Sequence, residues 1–392
     1  MNNTLQPSPR LEVVDALRGL ALLGIVLLHN LEHFNIYFIP ENLPDWLKFA
    51  DKYTWDTIFL VFAGKAYAIF SLLFGFSFYI QLSNAKKRGT DFRMRFAWRM
   101  LLLFMFAQLH ALFYNGDILV LYAVCGLFLI PACTWKDKTV FIIAIILLLQ
   151  PWECGKFIYA IFNPQYTPSP DLYMKYAAIS VEATQNGSFF EVLRTNLIEG
   201  QLFSNLWQIE NGRLFQATGL FYMGMLAGRR KYFIKSYEST LLWKKILKMA
   251  AIAFIPLYII NTYVITLITS PVMLIPFAIL IPSITNFALM MVIVSGFTLL
   301  WFSKDNGYAW QKITVPYGRM SLTNYISQSI IGVCIYYGFG LSLYKYTGSV
   351  QTVMIAIVIF GAQLTFSRYW LQHHKQGPLE YIWKKLTWLK FK

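Results

Sequence analysis

Charge is scarce in this sequence: only 14% of its 392 residues are Asp, Glu, Lys or Arg. Soluble proteins use roughly 25% to clothe their surfaces, so a soluble enzyme of two or three domains is excluded. Acid is scarcer still, with 19 Asp and Glu against 34 Lys and Arg, a net charge of +15. Cysteine occurs four times, at 125, 133, 154 and 334, without a C-x-x-C spacing. That count frames neither a disulfide scaffold nor a metal site, and apolar packing accounts for each thiol. What is abundant is hydrophobic (57%) and aromatic (18%) side chain, which argues equally against a disordered chain.

A membrane-crossing helix needs roughly 20 mostly apolar residues. Ten segments qualify, at 14–34, 57–83, 97–114, 117–134, 138–158, 213–228, 246–268, 275–302, 320–342 and 350–372. The fold expected is all-α: a polytopic integral membrane helix bundle with both termini on one side. Placing those termini in the cytoplasm puts 26 of the 34 basic residues and 7 of the 19 acidic ones inside. The inner side then carries a net +19 and the outer side −4, the asymmetry that basic cytoplasmic loops produce. The basic excess therefore reads as membrane orientation and needs no nucleic acid. The first span carries Asp15 and Arg18 and lacks a small-x-small cleavage site, so it is read as retained rather than as a signal peptide.

Two segments lie outside the spans. Residues 159–212 form a long external loop with short helices, in which Ser188 and Glu191 have capping-box spacing and Gly200 marks a helix stop. This loop suits a lid over an opening, or a packed decoration. Residues 373–392 form an amphipathic basic tail whose Tyr381, Trp383 and Trp388 alternate with lysines, a pattern that fits the anionic inner leaflet of the bilayer.

Ionisable groups inside a membrane are costly, so each is a functional candidate. On the first span Arg18 and His29 stand eleven residues apart, within about 20° of one helix face and about 16 Å apart along it. His33 lies near that face. Asp15 can hold Arg18 at i,i+3; the pair also suits a snorkelling anchor, as His29 suits an interfacial hydrogen bond. His29, His33 and His110 gather at the outer end, with Glu32 and Asp117 as carboxylates able to orient an imidazole for proton transfer. Three histidines could formally hold zinc, but their spacing points to no metal site. Lys65, inside the second span, must face the bundle interior or snorkel outward, with Glu32, Asp56 and Asp117 as candidate partners on that side. In the ninth span Ser321, Asn324, Tyr325 and Gln328 recur at i, i+3, i+4 and i+7, a polar stripe that serves as glue between helices or as the wall of a polar path.

Five segments carry a resemblance: Val14 to Ile25 (VDALRGLALLGI), Ala66 to Gly75 (AYAIFSLLFG), Asn115 to Leu119 (NGDIL), Gly318 to Tyr325 (GRMSLTNY) and Gly377 to Glu380 (GPLE). In this order they resemble the YeiB-like bacterial membrane family, defined by domain of unknown function 418, over nearly the whole chain. The first span is also similar to that of transmembrane acyltransferases, in which an Arg and a His share the spacing of Arg18 and His29. The resemblance implies a multi-pass protein of the bacterial cytoplasmic membrane that moves an acyl group from acyl-CoA, such as acetyl-CoA, to an acceptor at the outer face. Arg18, Arg95, Arg99 and Arg319 would receive the donor's phosphates. Its pantetheine arm would follow Asp15 and the stripe on the ninth span. His29 would act as base with His33, His110, Glu32 or Asp117 beside it, and Asn30, Asn324 or Lys65 would stabilise the oxyanion. The acceptor would be a glycan, a lipid-linked sugar or another envelope component. A transporter of small anionic solutes, with a helix broken at Pro276 and Pro282, is the principal alternative, and a membrane scaffold or sensor the third.

Overall fold

The computed structural model describes residues 10–40, 43–168, 170–304 and 307–389. Among them the chain forms nineteen α-helices and no strand. The first, α1 (Glu12–Leu31), is apolar on nearly all sides and almost wholly buried, as expected of a helix at the centre of a bundle. α2 (Asp45–Phe62) and α3 (Ala66–Lys87) follow, then α4 (Arg93–Ala111), α5 (Leu119–Leu127) and α6 (Leu129–Ala132). α7 (Asp137–Leu148) and α8 (Pro151–Phe162) make a pair bent by 49°. Gln150 takes the left-handed conformation at that bend, with φ 53°, and Pro151 starts the new helix where its missing N–H costs nothing.

The loop of residues 159–212 folds into α9 (Leu172–Asn186), α10 (Phe189–Thr195) and α11 (Gln201–Glu210). α12 (Arg213–Arg229) then runs through the bundle against α3. α13 (Tyr237–Thr262) and α14 (Pro271–Ser303) form a hairpin. Short α15 (Ala309–Ile313) and α16 (Val315–Arg319) lead into α17 (Ser321–Tyr336), α18 (Ser349–His373) and the tail helix α19 (Pro378–Thr387).

Four stretches are long and apolar enough to cross a membrane: Asp45–Lys87, Tyr237–Leu267, Pro271–Ser303 and Ser349–His373. The bent pair α7–α8 makes a fifth. Of the 26 residues of α13, only Ser239 and Trp243 are buried, so the apolar stretch from Met249 to Ile260 is presented outward, as suits a lipid solvent. Inside the bundle, apolar burial no longer discriminates protein from lipid, and close packing takes over. At the α1–α16 crossing a Cβ on Gly318 would stand 1.9 Å from the carbonyl oxygen of Asp15, so only glycine lets the backbones meet there.

Several expectations need correcting. The second span, 57–83, falls within the membrane-length stretch Asp45–Lys87, which Gly64, at φ 75°, interrupts between α2 and α3. The fourth, 117–134, holds only the short α5 and α6. Gly200 does not stop a helix, because a π-helical turn at Asn196–Gly200 carries α10 into α11. The stop falls at Gly212, which is left-handed at φ 68°. Pro276 and Pro282 do not break α14, which continues through both as one helix. The capping box of α10 is formed: Ser188 N–H donates to Glu191 Oε2 at 2.6 Å, and Glu191 N–H to Ser188 Oγ at 3.4 Å. The backbone of Ser188 thereby holds the Glu191 carboxyl below its usual range.

Candidate functional site

The end of α4 and the Asn115-Gly116 turn bring His110 and Asp117 together seven residues apart. His110 Nδ1 lies 2.9 Å from Asp117 Oδ1, and both side chains are 2% exposed or less. A carboxylate accepts only, so Nδ1 carries the proton and Nε2 is left as a bare acceptor. Tyr325 of α17 donates its hydroxyl to the same Oδ1 at 3.2 Å, while the hydroxyl oxygen faces the Ile118 N–H at 3.4 Å. His29, at the end of α1, packs on the two rings that His110 also meets. Its centroid lies 5.1 Å from that of Tyr114 and 6.2 Å from Tyr325, against 6.0 and 5.2 Å for His110.

Around these two tyrosines the structure concentrates buried polar atoms that have no hydrogen-bond partner: His110 Nε2, Asp117 Oδ2 and His29 Nδ1. Both amide ends of the fully buried Gln328, one turn beyond Tyr325 on α17, share this state. Each such atom costs roughly 1–3 kcal/mol, so a concentration of them marks a place kept for chemistry rather than for stability. The loop helices cover it. Gln208 Nε2 and Ser204 Oγ of α11 donate to the Asp117 carbonyl at 3.1 and 3.3 Å, and Asn196 Nδ2 to the Leu112 carbonyl at 3.1 Å.

The remaining sequence candidates separate. Asp117 goes to His110, and no hydrogen bond orients His29 from a carboxylate among the described residues. His33 turns away, with Nε2 donating to Thr347 O at 2.9 Å. Its ring packs on Tyr336 and borders a cavity of about 280 Å³ with Trp55 and Asp51. Glu32 accepts from Tyr37 and attracts Arg213. Asn30 is spent on structure, donating to Val26 O at 2.7 Å and accepting from Tyr336 at 3.0 Å. Asn324 donates to Tyr317 O at 3.1 Å and Ser367 Oγ at 2.9 Å, and its carbonyl accepts from Gln363 at 2.9 Å. It is glue between α16, α17 and α18. Ser321, half-buried, opens α17.

Lys65 corrects its expected partners. None of Glu32, Asp56 and Asp117 pairs with it; Nζ donates instead to the Ala63 and Phe59 carbonyls at 2.7 and 3.4 Å, the open end of α2. The four expected phosphate ligands also divide. Arg18 is held by Asp15 at 2.8 Å and by Ser77 of α3, and Arg10 binds the same Asp15 carboxylate. Arg95 donates to Thr387 O and Leu389 O at 3.0 and 2.9 Å, and the Arg99 guanidinium lies 3.5 Å over the Trp383 ring. Both fasten α19 to α4. Arg319 reaches Lys375 O at 3.1 Å and keeps an unpartnered Nε.

Sequence reasoning missed Arg213, at the first position of α12. Its guanidinium lies 4.2 Å from the Tyr67 ring centroid and 5.4 Å from that of Trp207, and Tyr67 donates to Gln216 beside it. The signal was present in the sequence as an arginine directly after Asn211-Gly212, a helix start facing an apolar run.

An all-helical bundle with helices of membrane-crossing length, closed around a buried histidine–aspartate pair, is the class that these features define. The chain is similar to proteins of the YeiB-like DUF418 family. Residues 227–390 match the family model described as "Protein of unknown function (DUF418)". It is similar to uncharacterized protein YxaH of Bacillus subtilis, at 26% identity over 99% of this chain and 98% of that one. It is similar to an uncharacterized 39.9 kDa protein of Bacillus acidopullulyticus, at 27% over 97% and 94%. A third relative is uncharacterized protein YeiB of Escherichia coli, at 26% over 95% of each chain. No solved structure matches the chain.

Proposed function

We propose that this protein is an acyltransferase of the bacterial cytoplasmic membrane, crossing it ten times with both termini inside. It moves an acyl group from cytoplasmic acyl-CoA to an acceptor at the outer face. The observation that carries this reading is the His110–Asp117 dyad, with its protonated Nδ1 on the carboxylate and its Nε2 free. The base is thus His110, and His29 is the imidazole facing it across Tyr114 and Tyr325. His110 Nε2 takes the proton of an acceptor hydroxyl or amine as that atom bonds to the thioester carbonyl carbon. When the C–S bond breaks, the proton passes to the departing thiolate. Arg18 and Arg319, at the far end of the bundle from His29, are the cations left for donor phosphates, since Arg95 and Arg99 hold the tail. The charge asymmetry of +19 against −4 supports the orientation.

The test is transfer from radiolabelled acetyl-CoA by the purified protein in bilayer discs, with Escherichia coli envelope extract as acceptor source. Label entering the extract is expected. Absence of both transfer and CoA release, from protein shown to be folded, would defeat the proposal. A transport reading is favoured by one observation: the helices break inside the bundle at Gly64 and at Gln150, as in carriers whose half-helices meet a solute. Uptake of a solute into vesicles without CoA would support that reading instead.

A further inference from the structure

Arg213 and Lys65 are cations within the bundle that lack matched counter-charge. Lys65 is 4% exposed and donates only to carbonyl oxygens. Arg213 reaches Gln216 Oε1 at 3.5 Å and lies against two aromatic faces. Arg213 lies 4.2 Å from the ring centroid of Tyr67, two residues beyond Lys65. Glu32 attracts Arg213, yet among the described residues no carboxylate lies within the 4.0 Å ion-pair distance of either cation. Buried charges are ordinarily paired; buried Lys65 meets only carbonyl dipoles and half-buried Arg213 only an amide oxygen and ring faces, which leaves positive charge over.

The backbone adds to it. α3 begins directly after Lys65 and α12 begins with Arg213, so the positive ends of a 22-residue and a 17-residue helix accompany the two side chains. Tyr67 ties the ends together, donating its hydroxyl to Gln216 of α12 while its ring faces the Arg213 guanidinium. Gln150, just ahead of α8, donates to Gly212 O and Ser283 Oγ at 3.1 and 3.0 Å, which fixes the residue that precedes Arg213. The dyad adjoins this place through α11, whose Trp207 ring centroid lies 5.4 Å from the Arg213 guanidinium and whose Gln208 donates to the Asp117 carbonyl at 3.1 Å.

We infer that Arg213 and Lys65 form an oxyanion pocket beside the His110–Asp117 dyad, and that it holds the phosphate or carboxylate group of the acyl acceptor. The acceptor is therefore an anionic compound. The word acceptor rests on the acyltransferase reading; the pocket does not.

The experiment measures binding without turnover, by the thermal shift of purified full-length protein in neutral detergent titrated with butyl phosphate, butyrate or butanol. Saturable stabilisation by the two anions and none by butanol is expected. Arg213→Gln should weaken it by about 10–100-fold, the worth of one charge-assisted bond, and Lys65→Gln by about tenfold. Arg213→Lys, which keeps the charge, should fall between, and serves if the Gln variant does not fold. No saturable shift in the wild type, or equal shifts in Arg213→Gln, would overturn the pocket. Competition by adenosine 3′,5′-bisphosphate, the anionic end of CoA, would overturn its assignment to the acceptor. Anion binding that persists where no acyl transfer is found would defeat the enzymatic reading and leave the pocket standing.

Discussion

Replacing Glu380 by alanine should release the start of α17, because this carboxylate caps that helix from a segment 58 residues away in sequence. Met320 at the N-cap offers no capping side chain. Glu380 Oε1 instead accepts the N–H groups of Leu322 and Thr323 at 2.7 and 3.2 Å, and Oε2 accepts the Thr323 hydroxyl at 2.6 Å. Thr323 Oγ1 accepts the Leu379 N–H at 3.1 Å in return, so α17 and α19 cap one another. Loss of an N-cap costs about 1 kcal/mol, and loss of a negative charge at a helix start a further ~0.3–1 kcal/mol. Glu380 is half-buried, which keeps the sum to about 2 kcal/mol. The assay is reversible unfolding in mixed micelles of dodecyl sulfate and dodecyl maltoside, with amide exchange followed at Leu322, Thr323 and Leu379. A loss of about 2 kcal/mol is expected, with faster exchange at those three amides and about half the loss in Glu380→Gln. A Glu380→Ala protein within about 0.5 kcal/mol of wild type, the ordinary range of surface substitutions, with unchanged exchange, would refute the capping argument.

Gly318→Ala should cost about 2–3 kcal/mol in the same unfolding assay, the range for overpacking a close crossing, because its Cβ would stand 1.9 Å from Asp15 O. The Glu191 cap gives α10 a pH dependence. Its carboxyl is held below the ordinary 4.5, so its contribution is present above that pH and is lost as pH falls through the lowered value. Amide exchange over residues 189–195, corrected for intrinsic rates, should accelerate on acidification below 4.5 in wild type and lack this step in Glu191→Gln.

Much of the bundle was legible because lipid imposes long apolar runs, and the ten apolar segments all fall on helices, the second, fourth and fifth each on two. The breaks were harder to read. Gly64 sits in an apolar run that continues on both sides, and its left-handed turn depends on Lys65 being able to close the end of α2. Pro276 and Pro282 look like breakers, yet α14 accommodates both. In the site, the i,i+3 pairing of Asp15 with Arg18 and the short turn between His110 and Asp117 were visible as local spacing. Whether Asp117 served His29 or His110 was not, since both imidazoles stand over the same tyrosines and only tertiary packing decides between them. Arg95 and Arg99 misled for a related reason: a basic residue at a helix end reads as a phosphate ligand until a C-terminal helix with Trp383 and free carbonyls is seen to occupy it. The segments that carry the family resemblance acquire physical meaning here. Gly318 allows a backbone crossing, Asn115-Gly116-Asp117 builds the dyad, and Glu380 caps α17.

The most direct test of the account is acetyl transfer from labelled acetyl-CoA by His110→Gln compared with His29→Gln, both shown to be folded. The account predicts that His110→Gln falls by about 10²-fold or more, the worth of a general base, with His29→Gln affected less. Wild-type turnover by His110→Gln, or a loss confined to His29→Gln, would contradict it.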